Sequence, residues 1–198
     1  MIADSRRTAR QSPPWDEIVY PSAGLSQWRT GRIEINTEHP ILSKLFCSAP
    51  LLALSDPLPF DQPSWNNKDA YRFGFHYTFR GLTNPRRIVF LSRLPNLFFS
   101  LGMCFLGFLL GRFLWGPRGG VLCLLSFSLS PILLSRASLA LLEMPLFFFL
   151  TLALYFWTQW RRSHRRWLYS LGAVAGGMAL GCKTIAVPFL AALVLAEF

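Results

Sequence analysis

IVFLSRLPNLFFSLGMCFLGFLL, residues 88–110, is the first stretch of this chain that a bilayer would accept whole. Roughly 20 apolar residues at about 1.5 Å each cover a hydrocarbon core about 30 Å thick. Arg93 lies near its start, where a long side chain snorkels to the interface. Four shorter or more interrupted runs follow. Residues 119–135 carry Pro131 near their far end. Residues 144–160 are rich in Phe and Leu and end on Trp157 and Trp160, an aromatic belt. Residues 167–182 carry Gly172, Gly176, Gly177 and Gly181, a spacing that admits a neighbouring helix closely. Residues 184–198 are barely long enough to cross. The expectation is an all-α integral membrane protein with four to five helices over 88–198.

Composition agrees. Mean hydropathy is +0.34, 52% of residues are apolar and 18 are Phe. Charged residues make up 15%, against about 25% in a soluble protein. The net charge of +10 fits retention of basic loops on the cytoplasmic side and attraction to anionic lipid. Nucleic acid is a poor partner, because the arginines are scattered between apolar runs and form no basic stripe with exposed aromatics. Cys47, Cys104, Cys123 and Cys182 lack metal-binding or CxxC spacing.

Working upstream, residues 1–14 form a polar tail with no apolar core of a signal peptide. Residues 15–87 are mixed, with an apolar patch over 41–54 that is too short to span and holds Lys44 and Pro50. That patch reads as juxtamembrane or re-entrant. Residues 18–28 read as a short helix after Pro14, with Asp16 and Glu17 facing the positive end of its dipole.

Orientation follows from the loops. Arg161, Arg162, His164, Arg165 and Arg166 form a basic turn that stays cytoplasmic. Counting back through the runs puts Arg112 and Arg118 inside, and Glu143 and residues 15–87 outside. Eight of the ten acidic residues precede residue 88, so the carboxylates Asp16, Glu17, Glu38 and Glu143 share the extracytoplasmic face. A long polar stretch crosses a membrane only behind an earlier helix. The reading therefore expects a helix upstream and further helices beyond residue 198, making this chain a portion of a longer protein.

Several motifs then fall in order: Trp15-Asp16-Glu17, Ala23-Gly24-Leu25, Arg29-Thr30-Gly31, and Glu38-His39-Pro40-Ile41-Leu42-Ser43-Lys44. They continue with Ser92-Arg93-Leu94-Pro95, Leu129-Ser130-Pro131, Glu143-Met144-Pro145-Leu146 and Cys182-Lys183-Thr184. In this order they resemble the polyprenyl-phosphate-dependent membrane glycosyltransferases, which include protein O-mannosyltransferases and lipid A aminoarabinose transferases. The resemblance covers nearly all of residues 15–190. Two positions depart from it: Ile41 stands where the family has a second proline, and Glu143 where it usually has Asp.

The resemblance implies a helical bundle of the GT-C type, with short juxtamembrane helices in an extracytoplasmic loop. It implies transfer of a sugar from a polyprenyl-phosphate donor to a protein, lipid or glycan acceptor. Such transfer needs a base for the acceptor, positive charge for the departing phosphate and a groove for the lipid. Asp16 is then the candidate base, acting with inversion at the anomeric carbon. Glu17 and Glu143 complete the candidate catalytic set, with Glu17 as an orienting group. His39, Lys44 and Lys183 are candidates for the lipid phosphate, and Glu38 for a divalent metal ion. Each has a plainer reading. Asp16 could merely support a helix dipole, Glu143 could pair with Arg136, and Lys183 could snorkel. Phe147, Phe148 and Phe149 read as packing. The chain has no P-loop, GxGxxG or Gly-x-Ser-x-Gly, so nucleotide-dependent and serine-hydrolase chemistry gain no support. Two alternatives stand beside the transferase: a catalytically inactive remnant or partner-dependent subunit, and a transporter using Glu143 and Lys183 as a coupling pair.

Overall fold

The computed structural model describes residues 14–196; most of the polar tail, at 1–13, and residues 197–198 lie outside the described residues. All regular elements among the described residues are helical. The first is α1 (Trp15–Thr30), with Asp16 and Glu17 in its opening turn. It ends at Gly31, whose φ of 69° lets its N–H reach back to the Gln27 carbonyl at 2.8 Å. Next comes α2 (Leu42–Ser48), prolonged by a 3₁₀ turn over Ala49–Ala53. Then follow α3 (Pro63–Asn66) and α4 (Ala70–Arg80).

Two glycines decide how these pieces meet. A Cβ on Gly24 would lie 2.2 Å from the Lys44 carbonyl oxygen, and one on Gly74 would lie 2.5 Å from that of Ile18. Backbone therefore packs on backbone, with α1 sandwiched between α2 and α4. Beneath lies a core of Leu25, Leu51, Phe73 and Tyr77 that also buries Ile88. Each such side chain taken fully from water stabilises the unit by about 1.5–3 kcal/mol. Asp56 closes it, accepting from the Thr83 backbone N–H (2.8 Å) and hydroxyl (2.7 Å). The region upstream of residue 88 is thus a packed helical unit.

The run that opened the sequence lies in α5 (Pro85–Ser128). By length and composition it is the one helix among the described residues apolar enough to cross a membrane. A straight helix would hold Gly107 and Phe127 about 30 Å apart. Instead a Cβ on Gly107 would come within 2.2 Å of the Phe127 ring. The chain reverses at Gly116, with φ 76° and ψ −171°, a conformation that favours glycine. So α5 is a hairpin with arms over 85–115 and 117–128, and its turn lies between Arg112 and Arg118.

The expected second run, 119–135, is not one helix. Pro131 forces Ser130 into extended geometry (ψ 117°), breaks the helix after residue 128 and starts a short α6 (Pro131–Ala137). The third and fourth runs become α7 (Glu143–Ser163) and α8 (Arg166–Cys182), which pair closely where Gly172 faces Ala153 and Phe156. The last run yields only α9 (Ala186–Leu195).

Candidate functional site

Residues 138–142 link α6 to α7 without a regular ladder, yet Ala140, Leu141 and Leu142 are buried. Buried irregular backbone needs partners for its polar groups. Side chains from three helices supply them. Asn96 of α5 donates its amide to the Leu139 and Leu141 carbonyls at 2.6 and 2.8 Å. Ser43 of α2 donates to the Leu142 carbonyl at 3.2 Å. The Ala140 N–H donates to Glu17 Oε1 of α1 at 2.9 Å. This clamp fixes where α7 begins, and so where Glu143 stands.

Glu17 is the keystone of the clamp. Arg93 donates Nε–H to its Oε1 (2.6 Å) and Nη2–H to its Oε2 (2.7 Å), a bidentate pair with the carboxylate fully buried. Arg93 therefore pairs inward, where the sequence suggested snorkelling. Three donors thus hold the buried Glu17 carboxylate, two on Oε1 and one on Oε2.

Glu143 is held differently. Lys183, just past the end of α8, donates to Oε1 at 3.2 Å, while the buried Oε2 has no hydrogen-bond partner. The expected alternative, an ion pair with Arg136, is replaced by Lys183; Arg136 is exposed on α6. An unpartnered buried carboxylate oxygen is costly and marks a place where a ligand or proton is expected.

Tyr20 joins the remaining candidates. It lies one turn after Asp16 on the same face of α1 and packs edge-on against His39, ring centroids 6.0 Å apart. Burial pushes its hydroxyl pKa up, and the charges of Asp16, Glu143 and Glu38 push it further in the same direction. These three carboxylates, from three separate segments, act on the phenol through their charge. Asp16 itself is exposed, as is Glu38.

Lys44 lies deeper. Its side chain is buried in α2, and Nζ donates to the Asn36 carbonyl and, at 3.2 Å, to Asn36 Oδ1. Burial lowers its pKa to about 8, and Glu38 opposes that shift in part. Asn36 thus takes two of the hydrogen bonds this ammonium can donate. Next door, the start of α2 packs against the end of α8, with Leu42 touching Gly181 just before Lys183. The structure pairs Glu143 with Lys183 and sets His39 against Tyr20, while the charges of Asp16, Glu38 and Glu143 reach Tyr20 and that of Glu38 reaches Lys44; Glu17 is buried apart from these.

Among the described residues no three of His, Cys, Asp and Glu come together as a metal site would need. Glu38 lacks companions of that kind, and no step below is routed through a metal.

The sequence reading missed Tyr20 and Asn96. Tyr20 stands four residues after Asp16, a spacing that puts two helical side chains together. Asn96 is an amide inside an apolar run, where a polar side chain in lipid is a functional flag.

The sequence pattern of the dolichyl-phosphate-mannose-protein mannosyltransferase family matches residues 71–197. No curated protein and no solved structure matches the chain.

Proposed function

Because the chain belongs to the dolichyl-phosphate-mannose-protein mannosyltransferase family, whose members are membrane-integral glycosyltransferases, we propose that the polar mouth around Tyr20 is a sugar-transfer site. The donor is a polyprenyl-phosphate-linked sugar and the acceptor a hydroxyl of a protein or lipid. The mouth faces the extracytoplasmic side. In this reading α5 anchors the chain in the bilayer, and α7, whose 21 residues reach about 30 Å, lies along it.

In this reading Asp16 takes the proton of the acceptor hydroxyl. The oxygen attacks the anomeric carbon, and the bond from that carbon to the phosphate oxygen breaks with inversion. The phosphate leaves with its charge offset by Lys44 and by Lys183, with His39 at the same rim. As the phosphate draws on Lys183, Glu143 holds that ammonium in place. Glu17 positions the whole through Arg93 and Ala140, and touches no reacting atom. Tyr20 stays a neutral phenol one turn from Asp16.

The observation that supports this reading is the Glu143–Lys183 pair with its unpartnered buried Oε2, next to the Tyr20–His39 contact. Glu143 and Lys183 do pair, as a transporter would also require; the family favours transfer. The test is transfer of labelled mannose from polyprenyl-phosphate mannose in membranes that carry the chain. Asp16→Asn should lower the rate about 10²–10⁴-fold, the usual contribution of a general base. Full activity in that variant would remove the base assignment.

A further inference from the structure

The opposite end of α7 carries a second constructed feature. Arg162 lies over the Phe113 ring at 5.3 Å, so the turn between Arg112 and Arg118 adjoins the turn over 161–166. Six arginines and His164 gather there, about 30 Å along α7 from Glu143. Opening from this end, between α7, α8 and α9, runs a groove of about 840 Å³. Its walls are apolar and aromatic, including Trp160, Tyr169, Leu190 and Val194, while Arg166 and Ser170 supply polar side chains. The groove exists because α8 turns small residues toward it. A Cβ on Gly177 would meet nothing within 4 Å.

We propose that this groove binds one anionic diacyl phospholipid, its phosphate at Arg166 and an acyl chain along the glycine face of α8. Three features select that ligand. The volume lies in the range of specific small-molecule sites. The lining is apolar along its length, which rejects a soluble anion. One exposed arginine, Arg166, stands in its wall beside Ser170, and basic groups in pockets between membrane helices recognise anionic headgroups. The site is distinct from the transfer mouth, and rests on the family's place in the membrane, independent of the transfer reaction.

The full chain, extracted in mild detergent, would be titrated with phosphatidylglycerol and with phosphatidylcholine of equal chain length, with bound lipid read by native mass spectrometry. Phosphatidylglycerol should be retained in preference. Gly177→Leu, which fills the groove, should abolish retention of both. Arg166→Gln should keep the chain contact and lower the preference about fivefold, the worth of one arginine near an anionic surface. Helical circular dichroism of both variants should match the parent. Undiminished retention in Gly177→Leu, or an unchanged preference in Arg166→Gln, overturns the site by reducing the effect to general loop charge. So does polyprenyl phosphate outcompeting phosphatidylglycerol, or cross-linking that finds the groove filled by polypeptide.

Discussion

The two ends of this molecule handle charge in opposite ways. At one end Glu17, Arg93, Lys44 and Asn96 are drawn inward and partnered, and they hold together four segments of chain. At the other end the arginines of the turn over 161–166 stay exposed, with Arg161 and Arg162 laid over the Trp157 and Phe113 rings. The difference teaches where architecture and chemistry share the same residues. A buried network fixes a geometry to within a hydrogen bond, as a reacting centre requires. Exposed cations fix which side of the membrane a turn occupies.

The sharpest way to break the contrast is Glu17→Gln. It leaves Arg93 half-buried without its counter-charge, and breaking a buried pair costs about 3–5 kcal/mol. Thermal unfolding in detergent should show a large loss, and Arg93→Met in the same chain should recover part of it. A smaller effect is expected for Asn96→Leu, which strands the buried Leu141 carbonyl and the partly buried one of Leu139, at about 1–3 kcal/mol for a buried unsatisfied group. Hydrogen exchange should show 138–142 loosened ahead of the rest. Gly24→Ala forces α1 and α2 apart, at about 1–3 kcal/mol for overpacking, and should lower transfer more than it lowers stability because Lys44 moves.

Lys44 yields a pH prediction. Its pKa in the folded chain is lowered from 10.5 to about 8, so the ammonium is present below that value and lost above it. The specificity constant kcat/KM should fall as pH rises through about 8, since it reports groups of the free enzyme. In Lys44→Arg that alkaline limb should vanish. Stability moves the other way. Between about 8 and 10.5 the unfolded chain binds the extra proton, so Lys44 contributes a rise in stability with pH over that window. The smallest effect belongs to the basic end: Arg165→Gln, on an exposed turn, should change stability by less than about 0.5 kcal/mol.

How much of this was legible beforehand varies along the chain. Asp16 and Glu17 in a first helical turn, and Gly24 in a helix interior, could be read from local pattern. Locally, too, the apolar run over 88–110 could only be helix. The hairpin at Gly116 was half visible: Gly-Pro marks a turn, but the closeness of Gly107 to Phe127 is a tertiary fact. Pro131 was noticed as a terminal residue of a run and in fact splits it, because its ring also restricts Ser130. Least legible was the division of labour between Glu17 and Glu143. Both are first-turn carboxylates, and no local signal says that Arg93, 76 residues on, pairs with one of them.

The most direct test of the account is side-specific labelling of single cysteines in native membranes. Asp16→Cys, Glu38→Cys and His164→Cys would be introduced over a background without the four free native cysteines. An impermeant maleimide applied from outside should label the first two positions, and the third only after the membrane is opened. Labelling of all three from one side would contradict the account, because the carboxylate mouth and the arginine turns would then face the same compartment.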